Sequence, residues 1–143
     1  MRQYFTLDEA QRLLPEIVEG LNRIKALHEV YKQAEGEIQN TARRVMQLGG
    51  VRVDLEHMAA LKHRRDSSAA HVKDLLESIQ SHGCQIKDIE AGLVDFPTRY
   101  KGQEVSLCWK LGERGIGHWH SAEEGFRGRK PIDREFLDHH EGD

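Results

Sequence analysis

A chain of 143 residues has room for one ordinary domain. It is 38% apolar and 31% charged, with three prolines and a mean hydropathy of −0.68, enough for a real core beside long solvated helices. The formal charge of −3 is uneven: residues 1–50 carry seven basic and seven acidic side chains, residues 51–81 five of each, and the excess lies in 82–143. Most of it belongs to the tail 133–143, with five acids against one arginine.

A body so close to neutral argues against a nucleic-acid binder relying on counterion release. No run of 18 apolar residues is present, which excludes a membrane-spanning helix. The start Met1-Arg2-Gln3-Tyr4-Phe5 has no apolar signal core. The two cysteines, Cys84 and Cys108, cannot build a disulfide framework and fit a reducing compartment, so a cytoplasmic protein is expected.

Glycine divides the chain. Four of the thirteen glycines fall in the first 81 residues and nine in the last 62, together with six of the nine aromatic residues. The first part reads as helix, the second as turns and strands, giving an α+β protein: a long antiparallel helical hairpin followed by a small antiparallel β-meander. A single domain over 1–132 and a flexible acidic tail over 133–143 are expected.

The first helix is predicted over 6–48. Thr6-Leu7-Asp8-Glu9 is a capping box, in which the Thr6 hydroxyl and the Glu9 carboxylate each satisfy a backbone N–H of the first turn. Ile17, Ile24, Tyr31, Ile38 and Val45 occupy one heptad position; Leu14, Leu21, His28, Glu35 and Ala42 occupy the other, the pattern of a coiled-coil seam. Pro15 lies too deep to be a first-turn proline and should kink the helix, setting off a short segment 7–14.

Gly49-Gly50 suits a tight reversal. A second helix over 52–81 places Leu55, Met58, Leu61, Val72, Leu75, Leu76 and Ile79 inward, with Lys62, His63, Arg64, Arg65 and Asp66 interrupting the stripe. Two helices cannot bury both stripes fully, so the hairpin is expected to pair with a second copy in a homodimer.

After Gly83 the period becomes two, with strands over 84–89, 92–96, 104–111 and 116–120, and an ordered loop over 121–132. His118-Trp119-His120 puts two imidazoles on one strand face. Cys108 stands across the hairpin, near His120 in one register and on the opposite face in the next. His118, His120 and Cys108 are therefore the candidate ligands of a transition metal such as zinc, although no H-E-x-x-H or CxxC motif accompanies them and hydrogen-bonded strand histidines are the simpler reading. Cys108 flanked by Leu107 and Trp109 reads as inert packing rather than a nucleophile. Asp95 among Leu93, Val94 and Phe96 demands a fixed partner, for which Arg99, Lys110 and Arg129 are the candidates.

Four ordered motifs look familiar: Gly92-Leu93-Val94-Asp95-Phe96-Pro97; Cys108-Trp109-Lys110-Leu111-Gly112-Glu113; Ile116 to Trp119-His120; and Gly125-Phe126-Arg127-Gly128-Arg129-Lys130-Pro131. With the opening Tyr4-Phe5-Thr6-Leu7-Asp8-Glu9-Ala10 and Leu13-Leu14-Pro15, the chain from about 4 to 131 resembles the prokaryotic family called domain of unknown function 2203. The resemblance implies no particular activity. It implies that Asp95, Trp109, Glu113, Trp119, His120, Gly125, Phe126 and Arg129 belong to the family pattern, and that His118 and Arg127 depart from it.

The ligand-binding candidates are thus Asp95, Lys110, His120 and Arg129, in a pocket where the loop carrying Phe126 closes over the sheet. The leading expectation is a non-catalytic homodimer binding a partner or a small anionic ligand. The competing readings are a small enzyme, with His120 and Glu113 or Glu124 as acid and base and Arg129 holding an anion, and a metalloprotein built on His118, His120 and Cys108.

Overall fold

A computed structural model describes residues 3–49 and 54–143. Two helices, α1 (Leu7–Leu48) and α2 (Leu55–Gln80), precede an antiparallel sheet of β1 (Gln85–Asp88), β2 (Leu93–Tyr100), β3 (Gln103–Lys110), β4 (His118–Ser121) and β5 (Lys130–Pro131). A short helix α3 (Arg134–His139) and a two-residue strand β6 (His140–Glu141) close the chain. The α+β class and the helix-then-meander order follow the sequence reading. Gly50 and the expected start of the second helix at 52–53 lie outside the described residues; Gly49 takes a positive φ of 63°, as a reversal requires.

The chain forms two compact units, one of Asn22–Leu75 and one of Met1–Leu21 with Leu76–Asp143. In the first, α1 and α2 run as an antiparallel pair around Ile24, Ala34, Leu61 and Ser68, all buried. Glu35, a polar residue in the heptad seam, accepts a hydrogen bond at 3.1 Å from Arg65, from the cluster that interrupts the facing stripe. The two breaks in the apolar pattern are partners, and their half-buried ion pair bridges the hairpin. Along the same seam Tyr31, Ile38 and Val45 are only half-buried, and Met46, Leu48 and Leu55 are exposed.

In the second unit the capping box forms in full: Glu9 N–H donates to Thr6 Oγ1 at 3.2 Å and Thr6 N–H to Glu9 Oε1 at 3.0 Å. Pro15 lies inside α1 without ending it, so 7–14 is the first two turns of one long helix. Ala10 and Leu14 from these turns, and Ile17 and Leu21 after Pro15, are buried.

The sheet order is β1-β2-β3-β4-β5, with β6 alongside the far end of β2. Its register sorts side chains onto two faces. Thr98 stands opposite Val105, Phe96 opposite Leu107 and Val94 opposite Trp109, and all six are buried. Phe5 sits edge-on to Phe96 at 5.6 Å between centroids. The other face carries Asp95, Ser106, Cys108, His118 and His120.

The tail expected to lie outside the fold is part of it. Asp133 caps α3 by accepting the Phe136 N–H at 2.8 Å. Phe136 is fully buried, with ring centroids 4.8 Å from Tyr100 and 4.9 Å from Trp119. Asp143 N–H donates to the Tyr4 carbonyl at 3.1 Å, and the Asp143 carboxylate pairs with Arg99 at 3.0 Å. Charge count misread this segment because its acids cap a helix and meet cations, while one phenylalanine anchors it.

Candidate functional site

Three strands bring the chemistry together. Asp95 of β2 stands opposite Cys108 of β3, which stands opposite His118 of β4, with His120 two residues further along the same face. The register therefore places Cys108 with both histidines. Asp95, Cys108 and His120 are each at most 5% exposed and floor a cleft of about 320 Å³. The 121–129 loop forms one wall through Ala122 to Phe126, where the resemblance-based reading put it.

The loop owes its path to two glycines. Gly125 has φ 68° and ψ −165°, a region open in practice to glycine alone. A Cβ on Gly128 would stand 2.5 Å from the Glu124 Cβ. Between them Phe126 carries the Arg129 guanidinium 4.6 Å from its ring centroid and the Lys110 ammonium at 5.7 Å.

His120 is held at both ends. Nδ1 lies 2.7 Å from the Ser121 carbonyl, and a carbonyl only accepts, so Nδ1 carries a proton. Nε2 lies 3.1 Å from Asp95 Oδ2, and one proton sits between these two atoms. The pair is either imidazolium with carboxylate or neutral imidazole with carboxylic acid, and each satisfies both buried groups. Asp95 has its fixed partner, but it is His120 and not Arg99, Lys110 or Arg129.

Glu113 and Arg129 form the second pair. Both terminal nitrogens of Arg129 donate to the Glu113 carboxylate, NH1 at 3.2 Å. Burial acts to raise the Glu113 carboxyl, but the bonds from Arg129 and from the Lys110 N–H outweigh it and hold Glu113 below the usual carboxylate range. The same bond raises Arg129 above its ordinary value, against the effect of its own burial. The role expected of Arg129, anchoring an anion, is taken internally by Glu113. Lys110 is exposed and does not line the cleft.

The acid–base partners expected for His120 are committed to other residues. Glu124 lines the cleft but accepts from Ser121 Oγ at 2.8 Å and Lys130 Nζ at 3.1 Å, contacts that lower its carboxyl. Burial, reinforced by the Asp95 carboxylate, pushes the Cys108 thiol up despite the nearby Arg129 guanidinium. No His120 nitrogen is left over for that thiol, so the arrangement does not activate Cys108 as a nucleophile. His118 turns toward Glu113, with Nδ1 3.9 Å from Oε2.

The donor atoms of Asp95, Cys108 and His120 all lie within 4.8 Å of one another, the one such grouping of histidine, cysteine and acidic ligands among the described residues. Asp95 takes the place in this trio that the sequence reading gave to His118. Its signal was present, an acid amid apolar residues, but the sequence could not say which neighbour answered it. The cleft's acidic lining was also missed: Asp95, Glu104, Glu123 and Glu124 line it with Lys87, while His120 pairs with Asp95 and Lys130 with Glu124.

The model of the family described as "Uncharacterized conserved protein (DUF2203)" matches residues 3–132. The chain belongs to the DUF2203 family. The match spans α1, α2 and strands β1 to β5, so the cleft and the Asp95–His120 and Glu113–Arg129 pairs lie within the DUF2203 region, while α3 and β6 follow it. No curated protein and no solved structure matches the chain.

Proposed function

We propose that this DUF2203 protein is a non-catalytic binding protein whose sheet cleft takes a small cationic ligand. One observation carries the proposal: acidic side chains outnumber basic ones around the cleft, Asp95, Glu104, Glu123 and Glu124 against Lys87, the His120 that pairs with Asp95 and the Lys130 that pairs with Glu124, and a concave site with an excess of one sign concentrates counter-charge. This replaces the anionic ligand of the sequence reading, because the arginine meant to hold it is neutralised by Glu113. The engagement of both His120 nitrogens favours binding over acid–base turnover.

A thermal-shift series tests the proposal. Diamines and guanidinium compounds should raise the melting temperature, and Asp95→Asn should remove the effect; at a hundredfold excess over Kd, binding adds about 2.7 kcal/mol. Stabilisation by carboxylates or phosphates in place of cations would contradict it.

The proposal includes a homodimer through the hairpin. Its support is the half-buried seam at Tyr31, Ile38 and Val45 and the exposed Met46, Leu48 and Leu55. Sedimentation at micromolar concentration should give a dimer that Ile38→Glu weakens; a monomeric wild type refutes this part.

A further inference from the structure

We propose that Asp95, Cys108 and His120 form a site for a divalent transition-metal ion of the zinc class, with the open side of the ion facing the cleft. The assignment rests on the cation-binding reading above and names the cation.

Convergence is the first argument. One oxygen, one sulfur and one nitrogen donor from three adjacent strands meet within 4.8 Å, all buried. Ligands around a tetrahedral zinc stand about 3.3–3.8 Å apart, from metal–ligand lengths of about 2.0–2.3 Å. His120 Nε2 and Asp95 Oδ2 are at 3.1 Å, so the thiol alone needs to close by about 1 Å.

The donor set selects the ion. Calcium and magnesium ask for shells of oxygen ligands, whereas thiolate with imidazole suits zinc and its neighbours. Three protein ligands leave a fourth position for water or a ligand atom from the cleft.

A second observation is independent of the trio. Nδ1 donates to the Ser121 carbonyl at 2.7 Å, which leaves Nε2 turned to Asp95, the outer-shell arrangement that orients metal-binding histidines. Charge also balances. The ion displaces the proton shared by Nε2 and Oδ2 and the thiol proton, so two protons leave. A dication then faces one carboxylate, one thiolate and a neutral imidazole. The Arg129 guanidinium beside Cys108 adds no net positive charge, because Glu113 pairs with it.

The test uses the full chain without a polyhistidine tag, stripped with a chelator and then titrated with Zn²⁺ and, separately, Co²⁺. One ion per chain is expected, with a thiolate-to-cobalt charge-transfer band in the cobalt form. Cys108→Ser should abolish the band, and Cys108→Ser and Asp95→Asn should each weaken zinc binding at least tenfold. His118→Ala should bind as the wild type does. Failure to take up metal overturns the proposal, as does an ion bound without the band and equally well by Cys108→Ser. Should Asp95→Asn fail to fold, the wild-type cobalt spectrum and Cys108→Ser still decide. Diamine binding with no metal uptake sinks the metal assignment and leaves the cation-binding cleft standing; loss of both sinks both.

Discussion

Buried polar side chains set the behaviour of this molecule, each through a named partner. His120→Ala leaves the Asp95 carboxyl buried without its imidazole, and breaking such a pair costs about 3–5 kcal/mol, readable as a lower urea midpoint at an unchanged slope. The thiols make a different prediction. Burial raises Cys84 to about 11 and Cys108 above its ordinary value, so both are protonated at neutral pH. A disulfide reagent should modify neither in the native protein and both after denaturation; fast native labelling of Cys108 would contradict the buried floor of the cleft. Glu113 gives a pH dependence. Its folded value is lowered, so its pairing with Arg129 stabilises fully above the unfolded carboxyl's value of about 4.3 and is lost as pH falls through the lowered one. Glu113→Gln should flatten this acid limb in equilibrium unfolding, leaving stability near pH 7 lower than the wild type's.

At the scale of elements, local chemistry made the helices and strands legible and pairing did not. The capping box at Thr6 and Glu9, the heptad repeat and the period-two run through Val105, Leu107 and Trp109 each declare their element from neighbouring residues. Register is non-local, so the face shared by Asp95, Cys108 and His120 could not be read before β2, β3 and β4 were aligned. The tail misled for a related reason. Its composition is that of a solvated segment, and its placement hangs on Phe136 reaching Tyr100 and Trp119. Phe136→Ala should cost about 3–5 kcal/mol and release β6 from β2, seen as fast amide exchange over 134–143. Unchanged protection there would contradict the account of the tail. Gly125→Ala should act on the loop instead: its backbone geometry excludes a side chain, so the cleft wall shifts while the core strands keep their protection.

Across the whole molecule, the helical unit and the sheet unit divide the labour. The first offers an incompletely covered apolar seam and a bridging Glu35–Arg65 pair. The second gathers every buried titratable side chain of the candidate site onto one sheet face. The acid-weighted tail that dominated the charge count supplies caps and ion pairs to the fold, and the proposed cation site rests instead on the carboxylates that line the cleft. Amide chemical-shift mapping with a small diammonium ligand tests that claim most directly. Shifts are expected at Asp95, Ser106, Cys108 and His120 and along 122–126, with none from phosphate at equal concentration. Shifts at these residues from phosphate and none from the diammonium would contradict it.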